Sequence, residues 1–357
     1  MGGEFISFVD ADDYLEPQTF ERFIEFMDAN SEVDICMCNG FVVDPQGQKR
    51  IMFPNSNEHE VLDSKAALAI LFGSYRVELW GKIYRHAILK NFKLDEELHL
   101  GEPQLGNWQL FNRARKIGII PYKGYNYIMN PSGLCKQAHF LTVYVYDLIK
   151  SAMKIYKDRS EDKDKKFIAT QQLLTVSISR LFRLLIQNDF EVKAADIECY
   201  LETLSKNKSE ILELVTLTPE KKRLLDALTQ PFDDAKRDCR EIYSDFLNDL
   251  RTFYGAHENI FIYGTGNFGV EVGEWLGKMN CNRYSFLTSN LGGNYNQRMT
   301  VSGEEHDVTD LIALAAAPNK TGIILAMNNK NKQEVLPLLQ KKAYVNIFDA
   351  NQLGIHI

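Results

Sequence analysis

The chain opens with a short hydrophobic run, Phe5, Ile6, Phe8 and Val9, which predicts a strand over residues 4–9 and stops at three carboxylates, Asp10, Asp12 and Asp13. Phe20, Phe23, Ile24 and Met27 then recur at helical spacing, so a helix with Pro17 in its first turn is predicted over 17–29. Val33, Ile35 and Met37, continued by Phe41, Val42 and Val43, predict a strand over 33–43. The turn Asp44-Pro45-Gln46-Gly47 leads into a short return strand over 48–53. Helices follow over 63–72, 83–90 and 104–116, and short strands over 117–121 and 125–129. From about residue 139 the strand signal nearly vanishes. Val143, Tyr146, Leu148, Ile149, Met153 and Tyr156 predict a first helix, and residues 158–166 form a charged break. Helices are expected over 167–187, 193–205, 207–215, 219–228 and 232–254. Strand–helix alternation returns with a buried run over 259–263, then helices over 270–278, 307–316 and 330–341 between strands at 284–288, 321–326 and 345–348. The pattern is α/β with three parts: mixed α/β over 1–138, helical over 139–257, and parallel α/β over 258–357.

Composition narrows the classes. A chain of 357 residues is long for one domain. Its 45% hydrophobic and 25% charged content is ordinary for a globular protein. A net charge of −7 argues against nucleic acid as a partner. No run approaches the ~18 apolar residues that span a bilayer, and Met1-Gly2-Gly3-Glu4 lacks the features of a signal peptide. Six cysteines are sparse and unpatterned; Cys36 and Cys38 alternate onto one strand face and read as buried free thiols rather than a zinc site. A cytoplasmic setting fits.

Three places carry candidate chemistry. Asp10 and Asp12, one residue apart on a turn after a buried strand, are placed to share one hard divalent cation, Mn²⁺ or Mg²⁺, that holds phosphate oxygens. Asp13 is expected to cap the turn or the next helix, and the competing reading has the whole Asp10–Asp13 group as a cap. The second place is Gly264-Thr265-Gly266-Asn267-Phe268-Gly269, a G-x-G-x-x-G at a strand-to-helix junction. Gly264 permits the tight turn, Gly266 a close approach of backbone to phosphate, and Gly269 close helix packing. A nucleotide-binding reading and a purely structural turn both fit. The end of the next strand, Phe286 to Asn290, has no acid to grip ribose hydroxyls, which argues against NAD. The third is Glu102, a carboxylate at a predicted helix start, either a base or an acid favoured by the helix dipole.

The segment Gly3-Glu4-Phe5-Ile6-Ser7-Phe8-Val9-Asp10-Ala11-Asp12-Asp13 resembles family 2 glycosyltransferases of the GT-A fold. Glu78 to Arg85, with Trp80 and Lys82, resembles the family's segment before a helix; Gly101-Glu102-Pro103 resembles its Gly-Glu-Asp; Tyr125-Asn126-Tyr127 with Asn130 to Gly133 resembles the aromatic strand and polar turn that follow. Pro103 stands where the family has its base Asp, which leaves Glu102 as the remaining candidate. The resemblance implies a partial GT-A domain, with the family's nucleotide-binding half absent from this sequence. It also implies a helical middle region and a C-terminal Rossmann-like domain like those of bacterial surface-polysaccharide glycosyltransferases. The implied reaction is inverting transfer of a sugar from a nucleotide-sugar to a glycan or lipid-linked acceptor. Asp10 and Asp12 would bind the metal and donor, Trp80 and Lys82 would shape the acceptor site, and Glu102 would be the base. Trp80 reads equally as a packing residue. A strand at 4–9 without its usual neighbours leaves an apolar edge, so a homo-oligomer is expected, and peripheral association with a membrane surface is a further expectation. The competing class is a non-catalytic nucleotide-sugar-binding or scaffold protein. A third reading is a sugar-nucleotide-modifying enzyme working through Gly264–Gly269.

Overall fold

The computed structural model describes the chain apart from residues 1–2, 54–57, 75, 131–137, 160, 290–297, 315 and 354–357. The chain divides into two compact units: Met1–Val176 with Glu210–Val215, and Ser177–Ser209 with Thr216–Ile357.

The first unit is built on a seven-stranded sheet. In chain order it contains β1 (Phe5–Ser7), β2 (Tyr14–Leu15), α1 (Thr19–Ala29), β3 (Val33–Val43), β4 (Lys49–Ile51), β5 (Glu60–Leu62) and α2 (Ser64–Gly73). After these come β6 (Lys82–Arg85), α3 (Glu102–Arg113), β7 (Lys116–Ile128), α4 (Ala138–Lys157) and α5 (Lys163–Thr175). The strand order is β1-β6-β3-β7-β2, with β4 on β3 and β5 on β7. β1 stands at the end of this order, antiparallel to β6. α1 covers one face, where Phe23 and Met27 pack against Val33, Cys36, Cys38, Ile83, Ile120 and Tyr125. Burying each large apolar side chain there contributes about 2 kcal/mol. Cys36 and Cys38 are free thiols in this core, and burial pushes Cys38 up to about 12.

Two expectations change here. The helix expected over 83–90 is a strand, β6, with only a 3-10 turn at His86–Leu89. A run of eight residues is too short to hold a helix by itself. Lys82-Ile83-Tyr84 instead fills the gap between β1 and β3, pairing antiparallel with both. The two short strands at 117–121 and 125–129 are one strand, β7. Pro121 cannot donate a ladder bond, but the register with β3 slips between Met37↔Ile119 and Asn39↔Lys123, so a bulge absorbs it. The buried Asn39 side chain donates to Phe53 O at 2.8 Å, beside the slip.

The charged break at 158–166 contains the cap of α5. Asp162 accepts from the N–H groups of Asp164 and Lys165. A π-turn at Val176–Leu181 joins α5 to α6 (Phe182–Gln187). α7 (Ala194–Leu214) is one helix where two were expected. Lys206-Asn207-Lys208 contains no helix breaker, and Asn207 donates to Thr203 O at 2.7 Å.

The second unit contains α8 (Pro219–Leu228), α9 (Phe232–Gly255), β8 (Asn259–Tyr263), α10 (Asn267–Lys278), β9 (Ser285–Thr288), β10 (Arg298–Val301) and β11 (Glu304–Asp310). It closes with β12 (Thr321–Leu325), α11 (Asn329–Lys341) and β13 (Ile347–Asp349). The sheet order is β10-β11-β9-β8-β12-β13. All neighbours are parallel except β10 with β11. The helix expected over 307–316 is in its first part strand β11. His306 and Val308 are buried while Glu305 and Asp307 are exposed, a period-2 pattern. Ser302 and Gly303, at φ 49° and 88°, make the two-residue turn that folds β10 onto it. Tyr263, Leu287, Ile323, Leu325 and Leu339 form the core on one face. Among the described residues, no helix is long and apolar enough to cross a membrane.

Candidate functional site

The acidic turn is fastened to the sheet by one of its own members. The N–H of Asp13 donates to Asp10 O at 3.2 Å and closes the turn. The hydroxyl of Tyr125 donates to Asp13 Oδ2 at 2.7 Å, and the N–H of Ile128 donates to Asp13 Oδ1 at 2.8 Å. The N–H of Asp10 in turn reaches Tyr125 Oη at 3.2 Å. Both Asp13 oxygens are therefore spent on β7. Asp13 caps no helix: α1 starts at Thr19, and its N-cap, Gln18, makes no side-chain capping bond. Asp10 and Asp12 remain exposed. Asp10 is raised above the usual carboxylate range, first by desolvation and then by the charges of Asp13 and Asp12.

The loop before β6 is tied down from beneath. Lys82 is 3% exposed, and its ammonium donates to Arg76 O at 3.0 Å and to Glu78 O. Asn107 Nδ2, from α3, donates to Val77 O at 2.7 Å and Glu78 O at 3.0 Å. The loop delivers Trp80, half-buried, onto Tyr125 at 4.3 Å between ring centroids and 11° between planes, and onto Tyr127 at 5.9 Å and 16°. It also delivers Glu78, which burial raises, with Lys82 opposing and Asp10 adding to the rise. Lys82 thus sits under the loop and not on its open side.

Burial brings the Lys82 ammonium down to about 8, with Glu78 opposing. An unfolded lysine keeps its proton to about 10.4. Between these values the unfolded chain binds more protons, so stability rises with pH, and below about 8 the penalty is fully present. The first unit is expected to gain stability as the pH is raised through this window, and Lys82→Met to remove that gain. Thermal melting at both ends of the window measures it; the same pH response in both proteins would sink the assignment.

Glu102 begins α3 behind Gly101, which takes φ 82°. The turn is held by buried Asp147, which accepts from the N–H groups of His99 and Leu100 at 2.9 and 3.0 Å. Glu102 Oε2 is buried with no hydrogen-bond partner. Its carboxyl is raised by desolvation first, then by Asp147 and Asp10. Asp10 therefore acts electrostatically on both Glu78 and Glu102, so these acids share one region of the first unit. Among the described residues, no group of three or more His, Cys, Asp or Glu side chains is arranged to hold a metal ion. Tyr125 and Glu78 lay inside the segments quoted above without a role. The Tyr-x-Tyr alternation, which puts Tyr125 and Tyr127 on one strand face, was the signal available for the aromatic stack. Residues 131–133 of the polar turn lie outside the described residues.

In the second unit the three glycines separate by cause. Gly264 sits at φ 131°, and a β-carbon there would lie 2.5 Å from Ala326 O. One at Gly269 would lie 2.0 Å from Gly264 O. Gly266, the N-cap of α10 at φ −85°, has nothing within 4 Å and no side-chain capping bond. Packing demands the first and third, and it leaves the second open. The buried Tyr263 hydroxyl at the end of β8 faces Ser289 at the end of β9. The end of β9 carries no acid up to Ser289, and Asn290 lies outside the described residues. The neighbouring β11 brings Asp310 into register with Thr288.

No family model matches the chain. Over 199 residues it is 27% identical to poly(ribitol-phosphate) beta-N-acetylglucosaminyltransferase TarS of Staphylococcus aureus, covering 54% of this chain and 32% of TarS. Over 138 residues it is 26% identical to the uncharacterized glycosyltransferase EpsJ of Bacillus subtilis, covering 37% of this chain and 40% of that protein. The crystal structure of S. aureus TarS 1–349 in complex with UDP superposes with a TM-score of 0.49 and 20% identity, over 70% of this chain and 68% of that one. The chain thus spans about a third of TarS and 40% of EpsJ, and the curated proteins it resembles are glycosyltransferases.

Proposed function

We propose that this chain serves a family 2 glycosyltransferase of GT-A type, moving a sugar with inversion from a nucleotide-sugar to a glycan or lipid-linked acceptor in cell-surface polysaccharide synthesis. The observation that carries the reading is the acidic turn: Asp13 is consumed in holding it to Tyr125 and Ile128, which leaves Asp10 and Asp12 open on a rigid support. Two exposed carboxylates, one raised by desolvation and then by its neighbours' charges, suit a hard divalent cation. Asp10 and Asp12 would hold Mn²⁺ or Mg²⁺, which supplies charge neutralisation for a leaving diphosphate. Trp80 and Tyr127 offer an aromatic face to a sugar ring, and the buried Lys82 positions the loop that carries Trp80. Glu102 accepts the proton of the acceptor hydroxyl. The reading places the protein in the cytoplasm, with peripheral association at the inner face of the membrane.

The test is binding of a UDP-sugar, and of Mn²⁺ alone, to the whole chain and to Asp12→Ala. Mn²⁺ is expected to tighten UDP-sugar binding, and the substitution to abolish that gain. A binding curve indifferent to both would remove the metal from the proposal. The second reading, a nucleotide-sugar-binding protein acting through Gly264, Gly266 and Gly269, is favoured by the open surroundings of Gly266. Loss of nucleotide binding in Gly266→Val with Asp12→Ala unaffected would favour it.

A further inference from the structure

We propose that the first unit carries a binding site for a phosphate ester at the end of its sheet remote from the acidic turn. The site is an open cavity of about 640 Å³ lined by Arg85, Lys90, Arg113 and Arg115 around a single acid, Asp34. In a chain with a net charge of −7, Arg115 pairs with Asp34 and Arg85 with Glu4, which leaves Lys90 and Arg113 as two cations on the cavity without an ion pair among the described residues. The proposal does not depend on the transferase reading.

The charges come from four separate segments. Asp34 is at the start of β3, Arg85 at the end of β6, Lys90 just after the 3-10 turn, and Arg113 and Arg115 flank the junction of α3 and β7. β3 and β7 run parallel from this end, with Val33 beside Lys116, towards Val43 beside Ile128, the residue that anchors Asp13. At about 3.3 Å per residue the two ends of β3 are roughly 30 Å apart.

The acid does not cancel the cations. Asp34 is 3% exposed, and its oxygens accept from Arg115 N, Nε and Nη2, the last at 2.7 Å. Its hydrogen bonds all go to Arg115, and the Arg85 charge acts on it as well. Arg85 is held rigid by Val33 O at 2.9 Å, Met27 O at 3.0 Å and Glu4 at 3.1 Å. Among the described residues, Arg113 reaches Ile88 O, at 3.5 Å, and the Phe92 ring. Among the described residues, neither Lys90 nor Arg113 has an ion-pair partner. Arg113 in the last turn of α3 also offsets that helix's dipole. That role does not account for Lys90 or for the convergence on a cavity. The exposed guanidinium of Arg113 and the exposed ammonium of Lys90, beside the fixed Arg85 and Arg115, match the planar and point-charge donors that phosphate oxygens accept from.

The phosphate can belong to a small soluble molecule or to a lipid headgroup, and the experiment separates the two. The full chain is titrated with inorganic pyrophosphate, and floated with phosphatidylcholine vesicles with and without phosphatidylglycerol. The comparison protein is Lys90→Gln with Arg113→Gln; both residues are exposed and outside ion pairs, so the fold is retained, which circular dichroism checks. The parent is expected to bind pyrophosphate or the anionic vesicles, more weakly as salt rises, and the double variant about tenfold more weakly. Pyrophosphate binding without vesicle binding supports the site with a soluble ligand. Vesicle binding that pyrophosphate displaces supports it with a headgroup. A parent that binds neither, or a double variant that binds as tightly as the parent, overturns the proposal.

Discussion

Gly269→Ala is expected to unfold the second unit. Its β-carbon would lie 2.0 Å from Gly264 O, and the obstacle is backbone, which cannot swing away as a side chain can. Gly264 is held where it is, because its N–H donates to Leu287 O at 3.1 Å and its φ is 131°. The clash therefore pushes α10 off the sheet, where Phe268, Val272, Trp275 and Leu276 are buried. Overpacking of this kind costs on the order of 3 kcal/mol or more, a large share of the ~5–15 kcal/mol that holds a domain together. Gly266→Ala is the internal control. Its surroundings are open and its φ of −85° suits any residue, so its melting should stay within about 0.5 kcal/mol of the parent. Thermal unfolding followed by Trp275 fluorescence distinguishes them. If Gly269→Ala melts with the parent, α10 does not pack on β8 as described.

On the proposed transferase reading, Glu102→Gln is expected to lower the transfer rate by about 10²-fold or more, within the range for a lost general base, with little change in donor affinity. The pH profile carries the sharper test. A carboxyl at a helix start is ordinarily stabilised as its anion by the dipole. Here desolvation of a buried, partnerless Oε2, then the charges of Asp147 and Asp10, outweigh that and raise it. A base works only as the carboxylate, so the rate should rise with pH through a midpoint above the usual carboxylate range. That limb should be missing in Glu102→Gln, which has no proton to lose. A variant that keeps the parent's rate and the same acid limb would end the role of Glu102 as base, Pro103 beside it notwithstanding.

Much of the architecture was readable from short-range pattern. α1, β3, α8, α9, β8, β12 and α11 lie within a few residues of their predicted bounds, because each has a clear period or a strong stop signal. The errors share a cause. β6 and β11 are strands that neighbours impose: β6 is paired on both edges, and β11 is paired with β9 and β10. A local window weighs the Leu, Ile and Ala that follow them, at 87–89 and 311–314, and does not see those partners. β7 was split because Pro121 is a break in a single strand, whereas against β3 it is a bulge. The candidate site divides in the same way. That Asp10 and Asp12 form a carboxylate pair was visible in the sequence, and so was the glycine turn. That Asp13 anchors the pair could not be seen, because its partners are 112 and 115 residues away. Lys82, which the resemblance has shaping the acceptor site, is buried beneath the loop that carries Trp80.

What this sequence determined by itself is therefore local: the period of each long element, the turn after β1 that gathers three acids, and the glycine junction after β8. These depend on backbone sterics and side-chain spacing within one or two turns of chain, and those act before any distant contact forms. The tertiary structure decided which short segments became strands and which acid was spent on Tyr125 and Ile128. It also decided which of three glycines was required by packing, and that Arg85, Lys90, Arg113 and Arg115 converge. Each of these depends on hydrogen bonds, steric contacts or charges between residues far apart in sequence, whose positions only the folded sheet defines.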